Sequence, residues 1–256
     1  MERKTSFITQ FVLWVAIAVH VLSGIFILSF IFPFAREKNK RAHIQKWSRR
    51  LLKILGIELL VINSEAPPKF SYLLVSNHIS WVDIHAINAF KPTRFVAKSE
   101  VEKWPIFGWM AKKLGTVFIR RNSSKHAHFV VSEISKVLKT ESICIFPEGT
   151  STSGEYVLPF KPNLFESAIM ADVPVCPLAI HYLSKENGKR SEIPAFVGDM
   201  GLLESMKNIL SNHNLVVELT FLAQPVLSLE QAKDRKMLAF NSHKQISEAL
   251  KLTATN

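Results

Sequence analysis

Apolar residues run without a single charge from Phe11 to Phe34, and only His20, Ser23 and Ser29 interrupt the run with notable polarity. A helix of that length rises about 36 Å, enough for a hydrocarbon layer of about 30 Å. The pattern predicts a membrane helix. Two dispositions fit it: crossing the bilayer, or lying in one leaflet with a break near Pro33. A secretory leader fits poorly, because the run is too long and no small-residue cleavage site follows it. A buried core helix is the soluble counterpart, and so long an uncharged run is rare there.

Polarity then changes abruptly. Over residues 39–56, Ile44, Trp47, Leu51, Leu52 and Leu55 recur near helical spacing with basic residues between them, and Gly56 is placed to end the helix. Such a helix can lie on an anionic lipid surface or pack on the domain, and the two are compatible. Further on, short apolar runs alternate with helical patterns. Strands are predicted at 59–62, 72–76, 94–97, 116–119, 143–146, 175–180, 195–197 and 216–221. Helices are predicted at 82–90, 106–114, 125–139, 164–171 and 230–251. The alternation indicates an α/β fold with a mostly parallel central sheet flanked by helices. The strands lack a clean period of two, as expected where both sheet faces are covered. Residues 1–56 thus read as membrane-anchoring helices and 57–256 as one catalytic domain.

Charge sharpens this picture. The chain has 32 Lys and Arg against 21 Asp and Glu, a net charge of +11. Eight of the basic residues fall between Arg36 and Lys53, against one acid, Glu37. A basic cluster directly after a membrane segment points to anionic lipid rather than nucleic acid. By the positive-inside rule it places the rest of the chain on the cytoplasmic face, at the inner membrane if the source is bacterial. Two cysteines, Cys144 and Cys176, exclude a disulfide scaffold.

Four blocks could carry chemistry. In Asn77-His78-Ile79-Ser80-Trp81-Val82-Asp83 a strand ends, and His78 follows at the edge where parallel α/β sheets bind ligands. A carboxylate that orients a histidine makes it a general base. Positions five apart do not share a helix face, so His78 and Asp83 meet only across a turn. The spacing alone is weak evidence: His128/Glu133, His181/Glu186, His213/Glu218 and His243/Glu248 share it. Asp83 also suits the first turn of a helix. In Phe146-Pro147-Glu148-Gly149-Thr150-Ser151 a buried strand enters a polar turn, where Glu148 and Thr150 can bond a hydroxylated ligand. Gly115 to Arg121 delivers Arg120 and Arg121 at a strand end, suited to phosphate, and Lys98 can add a further cation. Val173-Pro174-Val175-Cys176-Pro177-Leu178 carries two prolines, which predict a sheet edge or strand end, or the wall of an apolar channel.

Together the four blocks resemble the glycerolipid acyltransferase family, in particular the 1-acyl-glycerol-3-phosphate acyltransferases. The family's N-H-x4-D, G-x-x-F-I-x-R, F-P-E-G-T and V-P-hydrophobic-hydrophobic-P blocks occur here in order between about residues 72 and 180. The resemblance implies that His78, held by Asp83, deprotonates the sn-2 hydroxyl of a lysophospholipid. That hydroxyl would attack an acyl thioester carried on CoA or on acyl carrier protein, giving phosphatidic acid. Arg121, with Arg120 or Lys98, would bind the phosphate, and Glu148, Gly149 and Thr150 the glycerol part. No metal or organic cofactor is called for. Two departures bear on the acceptor. Ser151 stands where the family usually has Arg, and Asn163 where Gly often follows F-K-x. Another lysolipid, such as an aminoacyl one, is therefore the alternative acceptor. Outside this class stand a lipid hydrolase using Ser151 or Cys144, for which no G-x-S-x-G elbow exists, and a non-enzymatic binder of anionic membranes.

Overall fold

The computed structural model describes residues 5–120, 124–224, 227–228 and 230–251. Among them, seven strands form one sheet: β1 (Ile57–Ile62), β2 (Leu73–Ser76), β3 (Arg94–Lys98), β4 (Val117–Ile119), β5 (Ile143–Ile145), β6 (Val175–Ser184) and β7 (Leu215–Phe221). Their spatial order is β1-β7-β6-β2-β5-β3-β4. Every pairing is parallel except β6 with β7. The helices are α1 (Phe7–Phe26), α2 (Glu37–Ile54), α3 (Val82–Phe90), α4 (Ser99–Glu102), α5 (Phe107–Lys113), α6 (Ser124–Leu138), α7 (Glu166–Ala171), α8 (Leu202–Ser211) and α9 (Arg235–Ala249).

The sheet separates two apolar layers. Leu74, Cys176, Ile180 and Val217 face one way, onto α1, α2, α3 and α8. Leu73, Val75, Ile143 and Ala179 face the other, onto α6, α7 and α9. Both faces are covered, which is why the central strands read as continuous apolar runs. Gly56 ends α2 at φ +68°, and a Cβ there would lie 2.4 Å from the His213 ring. Both the left-handed backbone and the close approach require glycine.

α1 continues through a π-helical turn (Ile27–Ile31) and a 3₁₀ turn (Phe32–Phe34), so the apolar segment remains helical to Phe34. One side of it packs inward. Ile17, His20, Gly24 and Leu28 are buried, and Ile17 joins the same core as the sheet. The indole of Trp47 on α2 stacks on His20 and donates to its carbonyl at 3.1 Å. The other side exposes Phe7, Phe11, Val15, Val19, Leu22, Phe26, Phe30 and Phe34. A core helix of a water-soluble protein would be covered all round; this one carries a continuous apolar stripe suited to lipid.

α2 packs along α3, and Arg49 Nε donates to the Ala89 carbonyl at 2.7 Å, satisfying a carbonyl in the last turn of α3. The other basic side chains of α2 from Arg36 to Lys53 are exposed, save the half-buried Lys40.

Four expectations differ from the structure. Residues 195–197 are not a strand of the sheet; Phe196 instead donates its N–H to the Ile79 carbonyl at 2.9 Å, beside the His78 loop. α8 was not predicted, although Leu202, Met206, Ile209 and Leu210 repeat with helical spacing. The last helix begins only at Arg235, capped by the Asp234 side chain. Pro177 lies near the start of an interior strand, which fits the strand-end alternative and not a sheet edge. Its carbonyl accepts from Leu222 N on the β7 side, just beyond the β6–β7 ladder. The missing N–H therefore falls where that ladder has already ended.

Candidate active site

Four adjacent parallel strands, β2, β5, β3 and β4, bring the candidate residues to one edge of the sheet. Asn77 and His78 follow β2, Phe146 to Thr150 follow β5, Lys98 ends β3 and Arg120 follows β4. Asn77 lets the chain leave the sheet without losing its pairing. Its amide accepts from Ile180 N at 2.8 Å and donates to Ile180 O at 3.0 Å, so the side chain substitutes for a strand residue beside β6.

The chain then turns before α3, and His78 and Asp83 meet across that turn. His78 Nδ1 lies 2.8 Å from Asp83 Oδ2. The same oxygen accepts the backbone N–H groups of Ile79 at 2.8 Å and Ser80 at 3.0 Å. Asp83 thus fills the reach-back position of a capping box and orients the histidine with one carboxylate. It is fully buried, whereas the His78 side chain keeps about a fifth of its exposure. With Nδ1 bonded to the acid, Nε2 is the nitrogen available to take a proton. The other four His/acid pairs of equal spacing form no such contact among the described residues: His213 and His243 bond backbone carbonyls, and Glu133 pairs with Lys136.

His78 is held through both its ring and its backbone. Its ring stacks on Phe146 at 4.1 Å, and Phe146 stacks on Phe95 at 6.2 Å. Its backbone N–H donates to Glu148 Oε1 at 2.7 Å, and its carbonyl accepts from Thr152 N at 2.9 Å. The other Glu148 oxygen accepts from Leu158 N at 2.8 Å. Glu148 is buried, and burial pushes its carboxyl up to about 7. The two backbone N–H bonds oppose that rise without cancelling it. In this structure, then, the Glu148 carboxylate ties the His78 loop to residue 158. Gly149 adopts φ +73°, and Thr150 is exposed at the same edge. Lys98 is half-buried and Arg120 exposed. Arg121 lies outside the described residues.

Two features were not anticipated. Tyr182 on β6 donates to Asp83 Oδ1 at 2.7 Å, with both side chains buried. The Asp83 carboxylate is therefore saturated: three donors on one oxygen and a phenol on the other. A buried tyrosine needs a partner, but only the neighbouring of β6 and α3 reveals which one. Tyr182→Phe is expected to lower kcat about tenfold and leave both KM values unchanged, since a hydrogen bond to a buried charge is lost away from the substrates. Steady-state kinetics on the folded variant check this; an unchanged kcat would contradict it.

The second is a mostly apolar cavity of about 190 Å³ beside the site. Trp81 just before α3, Ile84 of α3, Phe95 of β3, Trp47 of α2, Met110 of α5, and Gly24, Leu28 and Phe32 of the N-terminal segment all border it. The Val173–Leu178 block does not line it; Val175, Cys176 and Leu178 are core residues.

The nucleophiles of a hydrolase are poorly placed. Cys144 is fully buried, and burial pushes its thiol well above the ordinary value. The Ser151 hydroxyl donates to the Phe196 carbonyl.

Comparison with known proteins agrees with this geometry. The sequence pattern of the Acyltransferase family matches residues 58–181. A lyso-ornithine lipid O-acyltransferase of Pseudomonas aeruginosa is 36% identical over 208 residues, covering 81% of this chain and 78% of that protein. A 1-acyl-sn-glycerol-3-phosphate acyltransferase of Neisseria meningitidis serogroup B is 35% identical over 203 residues, covering 79% and 78%. The crystal structure of the 1-acyl-sn-glycerophosphate acyltransferase of Thermotoga maritima shares the fold, with a TM-score of 0.66 over 97% of each chain at 24% identity. With a His–Asp pair, its acid buried, at the carboxyl edge of a parallel sheet, and relatives matched over most of their length, the chain belongs to the glycerolipid acyltransferase family.

Proposed function

We propose that the protein transfers a fatty acyl group from an acyl thioester to the sn-2 hydroxyl of 1-acyl-glycerol-3-phosphate, forming phosphatidic acid at a membrane surface. The observation that carries this reading is the His78–Asp83 contact at 2.8 Å beside an apolar cavity. His78 Nε2 takes the proton of the acceptor hydroxyl as its oxygen attacks the thioester carbonyl. Buried Asp83 stabilises the imidazolium that forms. The thiolate leaves and recovers the proton from His78, so no covalent enzyme intermediate arises. Lys98 and Arg120, at the ends of β3 and β4, supply positive charge for the phosphate, together with Arg121. Thr150 and Gly149 face the glycerol part. CoA and acyl carrier protein both present the required thioester.

The cavity takes the hydrocarbon of the acyl group. It lies between the sheet and the lipid-facing segment, and Phe95 on its wall stacks on Phe146, the ring that covers His78. The one-sided burial of α1 supports a helix lying in one leaflet against the domain, with the exposed α2 cations toward anionic headgroups. Gly24 borders the cavity, and a Cβ there would lie 2.9 Å from Met110 Cε and from Trp47 Nε1. Gly24→Leu is expected to shift the preferred donor to shorter chains in a competition among acyl thioesters of graded length. An unchanged profile would argue against this cavity as the acyl site.

A second acceptor is favoured by one specific feature. Ser151 is neutral, and its hydroxyl is engaged with Phe196, so this position offers no cation to a phosphate. A relative at 36% identity bears the name lyso-ornithine lipid O-acyltransferase. Offering lysophosphatidate and an aminoacyl lysolipid in competition decides between them. Phosphatidate as the main product supports the first reading, and the acylated aminoacyl lipid the second.

A further inference from the structure

The cavity wall contains a polar group that the fold leaves unused. Three polar side chains along it are engaged with the protein. Arg94 forms two bonds with Glu141, Asn88 Oδ1 accepts from Thr93 N, and Thr93 Oγ1 donates to the Lys91 carbonyl. His85, on α3 two residues beyond Asp83, differs. Its imidazole borders the cavity, and its buried Nδ1 has no hydrogen-bond partner among the described residues. The indoles around it offer none. Trp47 lies 5.5 Å away and donates its N–H to His20. Trp81 meets it edge-on at 5.8 Å and donates its N–H to Ser205. A hydrocarbon chain alone would be served better by leucine or phenylalanine here, since an unpaired imidazole in an apolar wall is costly.

We propose that His85 hydrogen-bonds a hydroxyl carried on the hydrocarbon chain in this cavity, so that the enzyme selects a hydroxylated chain over a plain one. The proposal rests on the reading of the cavity as an acyl-chain site. A hydroxyl suits a neutral imidazole, because each can donate to and accept from the other. Burial lowers the His85 pKa to about 4, so the ring brings no charge into the hydrocarbon at neutral pH. The side chain sits at a fixed depth on α3, so one hydroxyl position should be preferred over its neighbours. Two sources present this chemistry: the acyl group of the donor and the chain already on the lysolipid.

The test is displacement of a fluorescent fatty acid, excited by energy transfer from the cavity tryptophans, on the purified full-length protein. The competitors are 16-carbon acids carrying one hydroxyl at successive carbons, and the plain acid. One hydroxyl position is expected to bind about tenfold tighter than the plain acid. His85→Leu should abolish that preference, while His85→Gln, which keeps a hydrogen-bonding head, should retain part of it. No preference at any position, or a preference that survives His85→Leu, overturns the proposal. Binding preference without acyl transfer would count against the transferase reading and leave His85 standing. Transfer with no hydroxyl preference would do the reverse. Placing the hydroxyl on the acyl thioester or on the lysolipid chain in a transfer assay then separates the two sources.

Discussion

His78→Ala is expected to lower acyl transfer at least a thousandfold while the protein stays folded. A positioned general base contributes about 10²–10⁴ in rate, and here one imidazole serves both as base to the hydroxyl and as acid to the leaving thiolate. The side chain is partly exposed and stacks only on Phe146, so its removal leaves the Asp83 bonds to Ile79, Ser80 and Tyr182 in place. Asp83→Asn is the complementary change. The amide oxygen can keep the three donors now on Oδ2, and the amide N–H can turn to the Tyr182 hydroxyl, which also accepts. The geometry is retained and the charge is lost, so kcat should fall about 10²–10⁴-fold with little change in KM. Thermal unfolding verifies the fold, and thiol release gives the rate. A folded His78→Ala protein with substantial activity would contradict the mechanism.

Glu148→Gln is expected to change how stability depends on pH. Burial raises the folded carboxyl to about 7 from an ordinary 4.5. The folded state therefore binds more protons than the unfolded state between those values. Wild-type stability should fall as pH rises through that window, by about 3 kcal/mol in total, and level off above pH 7. Glutamine does not titrate, so this component is absent from the variant. The variant also loses one of the two acceptors that hold His78 N and Leu158 N, at a cost of about 1–3 kcal/mol. It should be the less stable protein at pH 5 and recover relative to wild type by pH 8. Denaturant unfolding at several pH values checks this, and parallel curves would contradict it. Glu148→Ala removes both acceptors, and a His78 backbone freed by about an ångström should lose about a hundredfold in kcat.

Much of this site is legible in the sequence. The strand ending at Ser76 and the helix over 82–90 placed His78 and Asp83 on opposite sides of a turn, which is what lets residues five apart meet. Three of the four ordered blocks were informative because each closes a strand at the same sheet edge; the fourth, Val173–Leu178, opens β6 instead. The supporting contacts were not legible, because they join segments about 70–100 residues apart. Glu148 reads as a surface acid in a polar turn until β5 is set beside β2. Tyr182 lies past the predicted strand 175–180 because β6 extends to Ser184 as an antiparallel partner of β7. The extended segment 195–197 carried a strand's composition but bonds the His78 loop instead. Hydropathy registered the N-terminal segment's length and not its sidedness; the inward stripe of Ile17, His20, Gly24 and Leu28 emerges only against α2 and the sheet.

The most direct test of acyl transfer to a lysolipid is to follow purified wild-type protein with lysophosphatidate and an acyl thioester, measuring free thiol and lipid product together. Thiol and phosphatidate should appear in equal amounts. Free fatty acid in place of a diacyl lipid, or no acylated product from any lysolipid offered, would contradict it.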